Sequence, residues 1–138
     1  MTRYVATEHP RNLYKEGINL EASSNWAVNY FKNTKKSNRP LWYEPMNEPF
    51  VHAKDFYEEK DWDPVAELRV KTEMSKLFRA LAEKIHAEPS LKNIKVMGYG
   101  AAWPSFELKN FKNWETNMGL FLDIAGDELD AISYHLYD

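Results

Sequence analysis

Three segments with a helical apolar period alternate with three short runs of bulky apolar residues, and this alternation narrows the fold more than any other feature. The first helix is expected to start at Ser23 or Ser24 as N-cap, with Trp26, Ala27, Tyr30 and Phe31 at helical spacing. Asp63-Pro64 opens the second: an aspartate cap followed by a proline in the first turn. Val70, Met74, Leu77, Phe78, Leu81 and Ile85 then form one apolar face, and Pro89 stops it. The third runs from Trp114 to Ala125 with Met118, Phe121 and Leu122 inward. The strand-like runs start at Leu41, span Ile94 to Gly100, and span Leu129 to Tyr137. Arg3 to Ala6 is a candidate for a further short strand. Helix-strand alternation of this kind predicts an α/β fold with a parallel sheet. Residues 1–138 read as a single domain, expected to be incomplete because the chain stops on a strand.

Length and charge exclude several classes. The 138 residues, 43% hydrophobic and 28% charged, suit a globular domain with a real core. A net charge of -3 leaves no basic footprint for nucleic acid or an anionic membrane. No apolar run is long enough to span a bilayer, and residues 1–10 lack a signal-peptide core. The absence of cysteine rules out disulfide and thiolate chemistry. The histidines at 9, 52, 86 and 135 show no ligand spacing, so no metal or cofactor is expected.

Chemistry concentrates in Leu41-Trp42-Tyr43-Glu44-Pro45-Met46-Asn47-Glu48-Pro49-Phe50. The run begins as a buried strand, and Pro45 and Pro49 remove backbone donors, so the ladder is expected to end there. Asn47 and Glu48 then stand at the strand's C-terminal tip, where parallel α/β folds place their reacting groups. Glycoside hydrolysis needs a carboxylic acid to protonate the leaving oxygen and a second carboxylate across the sugar. An adjacent amide can bond a sugar hydroxyl in a contact that tightens in the transition state. Glu44, four residues earlier, is expected to be buried and structural, with an Arg or His from a neighbouring strand as its partner.

This motif, extended to Val51-His52, resembles the fourth-strand motif of the clan A glycoside hydrolases. The Glu-Pro-Met-Asn-Glu-Pro-Phe form is most similar to family 86, the β-agarases and β-porphyranases. The resemblance implies a central piece of a (β/α)8 TIM barrel, from helix three to strand six. It implies that Glu48 is the general acid/base of a retaining mechanism and that Asn47 contacts substrate. The family's nucleophile is a glutamate at the end of strand seven, so no residue here takes that role. If the chain acts alone, either Glu107, Glu115 or Asp138 supplies it or the barrel reading is wrong.

Four further side chains are candidates for substrate binding. Strand alternation puts Ser133, His135 and Tyr137 on one face, and by resemblance His135 and Tyr137 line the cleaved sugar's subsite. Trp103 reads equally as a stacking platform for a pyranose ring and as a cover for the barrel rim. His52 is within reach of the site or of a substrate hydroxyl. Tyr57 and Trp62, in the long loop from Val51 to Asp63, read first as packing residues. The leading function is an endo-acting retaining hydrolase that cleaves β-galactosidic bonds in red-algal galactan, agarose or porphyran. The alternatives are a non-catalytic carbohydrate-binding remnant and another clan A activity, such as a mannanase or β-galactosidase. The expected partners are a polysaccharide and the remainder of the barrel, and the family implies a secreted or periplasmic location.

Overall fold

The computed structural model describes residues 4–8, 19–51, 63–102 and 111–135. Four strands, β1 (Tyr4–Glu8), β2 (Trp42–Met46), β3 (Lys95–Ala101) and β4 (Ala131–Tyr134), lie parallel in chain order. Helices α1 (Leu20–Asn33), α2 (Pro64–Ala87) and α3 (Phe111–Ala125) connect them in alternation. The expected α/β class and parallel sheet are therefore present, with β1 added as a fourth strand ahead of the first helix.

Local chemistry explains the helix ends. At α2 the Asp63 side chain accepts from the Ala66 N–H at 2.7 Å, satisfying one of the orphan donors of the first turn. Removing it in Asp63→Ala is expected to cost about 1 kcal/mol, measurable as a lower denaturation midpoint with unchanged m-value. The expected start of α1 needs correction. Asn19, not Ser23 or Ser24, is its N-cap, accepting from the Ala22 N–H at 2.9 Å. Ser24 lies a turn inside the helix and is buried, its hydroxyl donating to the Leu20 carbonyl at 2.7 Å. Asparagine is at least as good a cap as serine, and its earlier position gains a further turn of helix.

The helices cover one face of the sheet through two apolar clusters. Phe31, Tyr43, Ala82, Ile85, Leu91, Ile94 and Val96 form one; Met46, Met74, Leu77, Phe78, Tyr99 and Phe121 anchor the other. Aromatic rings carry the contacts between layers: Phe31 meets Tyr43 edge-on at 4.9 Å, and Tyr99 meets Phe121 at 5.0 Å. All six residues expected on the apolar face of α2 are buried. Gly98 permits close approach on β3, where a Cβ atom would stand 2.7 Å from the Phe78 ring.

The two edges of the sheet differ in chemistry. At the N-terminal edge, Asp130 accepts from the Val96 N–H at 2.8 Å and meets His86 Nε2 at 2.8 Å. Burial opposes its ionisation, but the Val96 N–H, His86 and Lys95 outweigh it and hold the carboxyl below its ordinary range. That edge is a structural clasp. No described helix is long and apolar enough to cross a membrane.

Candidate active site

At the opposite edge, β2 delivers two carboxylates. Strand alternation turns Tyr43 toward the helices and Glu44 to the other face, where Glu44 is 1% exposed. Pro45 lies inside the strand rather than ending it. Paired residues on the β3 side stop at Tyr43↔Val96, whereas on the β1 side they continue to Glu8↔Met46. The proline's missing donor thus falls where the ladder toward β3 has already ended.

Glu48 lies two residues beyond Met46, the last residue of β2, with φ +46°, in the left-handed region that non-glycine residues rarely adopt. Such a backbone persists only when its surroundings hold it there, and such outliers gather at functional sites. Here the Glu48 N–H donates to the Gly100 carbonyl at 3.1 Å, and the Val51 N–H donates to the Glu48 carbonyl at 3.2 Å. Phe50, two residues on, is buried and stacks on Tyr99 at 4.4 Å. Lys71 of α2 lies over the same ring, 5.8 Å from its centroid, and is itself held by Glu67 and by Asn117 Oδ1 at 2.8 Å. The turn carrying Glu48 is therefore clamped from β3 and α2.

His135, one residue beyond β4, bridges the two carboxylates. Its Nδ1 stands 2.9 Å from Glu48 Oε1 and its Nε2 stands 3.4 Å from Glu44 Oε2. Its N–H donates to the Ala101 carbonyl at 2.7 Å, which fixes the backbone behind the ring. Ser133 donates its hydroxyl to Glu44 Oε1 and accepts from the Gly100 N–H at 2.9 Å. Burial acts against the imidazolium. The hydrogen bond to Glu48 and the charge of Glu44 outweigh it, so the His135 pKa is raised above the ordinary histidine value. A half-buried carboxyl group, an imidazole of raised proton affinity beside it and a deeply buried second carboxyl group together can hold and pass a proton.

This site lies in a chain 39% identical, over 99% of its length, to beta-porphyranase A of Phocaeicola plebeius. The structure matches the solved structure of a family 86 beta-porphyranase from Bacteroides plebeius with TM-score 0.78 and 38% identity, over 99% of this chain. The chain is similar to a segment of glycoside hydrolase family 86 enzymes.

Two further curated relatives agree with that placement. The segment is 34% identical over 103 residues, 72% of its length, to a funoran endo-beta-hydrolase of Wenyingzhuangia aestuarii. It is 30% identical over 106 residues, 76% of its length, to a beta-agarase of Pseudoalteromonas atlantica. A crystal structure of BuGH86 in complex with neoagarooctaose matches 89% of the segment with TM-score 0.64 and 26% identity. The segment spans 18%, 12% and 20% of the three curated relatives and 23% and 19% of the two solved chains. No family model matches the chain.

Of the side chains singled out in the sequence, the fold brings Glu48 and His135 into contact and leaves Asn47 exposed beside them. Glu44 has a histidine partner, as expected, but His135 reaches it from beyond β4 and not from a strand adjacent to β2. His52, Trp103 and Tyr137 lie outside the described residues, as do Tyr57 and Trp62. Three contributors escaped the sequence reading: Gly100, Ser133 as a partner of Glu44, and the Lys71 clamp behind Phe50. For Ser133 a signal existed, since it alternates with His135 on one strand face. Lys71 stood in the sequence as one more helix cation, and nothing there marked it as buried.

Proposed function

We propose that this family 86-like segment supplies the acid/base half of an endo-acting retaining hydrolase that cleaves β-galactosidic bonds in red-algal galactan, agarose or porphyran. The observation that carries the proposal is the Asn47-Glu48 pair at the C-terminal tip of a parallel strand, in a chain 39% identical to a porphyranase. The names of the three curated relatives, a porphyranase, a funoran hydrolase and an agarase, support a galactan substrate. Glu48 is proposed as the general acid, giving a proton to the glycosidic oxygen as the C–O bond breaks and its electron pair moves to that oxygen. Asn47 is proposed to bond the hydroxyl next to the reacting carbon. The nucleophile is assigned outside this segment, as the family pattern requires.

In the same reading β1 to β4 are strands three to six of a (β/α)8 barrel. Their parallel order and the collection of polar side chains at the C-terminal edge support it. Ile132 and Tyr134, 50% and 56% exposed on β4, fit a further strand-helix unit packed against them. His52, Trp103 and Tyr137 remain proposed sugar contacts, and export from the cytoplasm is the location this substrate requires. Reducing-end release from porphyran, agarose, mannan and xylan by the purified protein carrying this segment tests the assignment. Release from one or both galactans is expected. Activity on mannan or xylan with none on the galactans would overturn it.

A further inference from the structure

We propose that Glu44, buried beneath the site, is a positioning residue that acts through His135 to decide which oxygen of Glu48 carries the transferable proton. The inference rests on the reading of Glu48 as the acid/base and adds a residue that does not touch the sugar.

The geometry is a chain of three groups. Ser133 and the Gly100 N–H anchor the deep end: the hydroxyl donates to Glu44 Oε1 and accepts from the glycine at 2.9 Å. The other oxygen of Glu44 faces His135 Nε2 at 3.4 Å, and His135 Nδ1 faces Glu48 Oε1 at 2.9 Å. A carboxylate buried to 1% exposure needs a counter-charge. Among the described residues, the charged groups acting on His135 are Glu44, from β2, and Glu48, from the turn after it. β3 offers it the Ala101 carbonyl, and β4 the neighbouring Ser133 hydroxyl that holds Glu44.

The chemistry follows from donor counting. An imidazolium donates from both nitrogens, one N–H to each carboxyl group. Its Nδ1–H then occupies Glu48 Oε1, so a proton taken up by Glu48 is confined to Oε2. With the imidazole neutral, Glu44 would keep the remaining hydrogen on Nε2. Nδ1 would then be an acceptor and would draw the Glu48 proton onto Oε1, away from the substrate. Glu44 favours the first arrangement because its charge stabilises the imidazolium. When the Glu48 proton passes to the glycosidic oxygen, the carboxylate left behind keeps its Nδ1–H bond, and the leaving oxygen takes the electron pair of the broken C–O bond. The whole chain of groups is preorganised before substrate binds.

The test compares wild type, Glu44→Gln, Ser133→Ala and Glu48→Gln in the purified protein carrying this segment. Rates are followed against pH on the galactan and on an aryl galactoside with an activated phenol leaving group. Glutamine keeps the size of Glu44 and removes its charge, which lowers the proton affinity of the His135–Glu48 pair. Glu44→Gln is expected to move the alkaline limb of the galactan kcat profile down by about one pH unit. It should lower galactan kcat by about tenfold or more, leave KM nearly unchanged, and spare bond cleavage on the aryl substrate. Ser133→Ala removes a hydrogen-bond donor from Glu44, leaves that carboxylate more basic toward His135, and should move the limb by a smaller amount in the opposite direction. A uniform loss on both substrates with an unmoved limb would overturn the role of Glu44 and leave only a structural one. If Glu44→Gln does not fold, Ser133→Ala decides alone, and an unmoved limb in that variant overturns the proposal. Failure of Glu48→Gln to discriminate between the two substrates would sink the acid assignment itself, which separates the two outcomes.

Discussion

Glu48→Gln is expected to lower turnover on porphyran or agarose by about 10²- to 10⁴-fold, the range that a positioned general acid contributes. The amide retains the shape of the side chain and still accepts from His135, so binding and stability should change little. What it loses is the proton. A sugar alkoxide is a poor leaving group and departs only when protonated; an activated phenol departs unaided. Cleavage of an aryl galactoside should therefore survive the substitution in its first step, with a burst of phenol followed by slow turnover, because the second step of the proposed retaining mechanism needs the same group as a base. Burst kinetics on the aryl substrate beside steady-state rates on the galactan measure both. Equal losses on the two substrates would remove Glu48 from the acid role.

The second large effect is on folding. Gly100→Ala is expected to destabilise the protein by about 2–5 kcal/mol, the sum of a left-handed backbone penalty and overpacking. Gly100 has φ +70°, and a Cβ there would stand 2.9 Å from the Met46 carbonyl and 3.0 Å from the Glu44 carboxyl. Neither neighbour can retreat easily. The carbonyl belongs to β2, and the carboxyl is gripped by Ser133 and His135. Gly119 supplies the contrast. It sits inside α3 with nothing within 4 Å of its added Cβ, so Gly119→Ala should be neutral or stabilising by up to about 1 kcal/mol. Denaturant unfolding of the two variants in parallel checks the difference. The galactan activity of Gly100→Ala should fall as well, since the same strain displaces Glu44 and the carbonyl that holds the Glu48 N–H.

Much of the frame was legible from local signals. The Asp63-Pro64 start of α2 and its six inward residues came from capping chemistry and a 3.6-residue period, both properties of a single segment. The order of strands came from alternation, because a parallel crossover leaves few other topologies. Boundaries were weaker. The α1 cap moved from serine to Asn19, since several residues there can cap and only the packed helix selects among them. Pro45 was read as a strand end, although a proline is tolerated where the ladder on one side has already ended.

By itself the sequence determined the helix and strand identities, their parallel order, and the position of Asn47 and Glu48 at a strand tip. It also determined that Glu44 needs a partner, because a carboxylate placed in a buried strand cannot stay unpaired. Tertiary structure alone decided that one histidine, His135, serves both carboxylates, 87 and 91 residues from them in sequence. It decided too that Gly100 offers its N–H to Ser133 and its carbonyl to Glu48, and that Lys71 is buried against Phe50. These contacts depend on the register of three strands and the seating of a helix. Those are set by the summed packing of Tyr43, Phe78, Tyr99 and Phe121 across the layers, and no residue pattern within one segment encodes them.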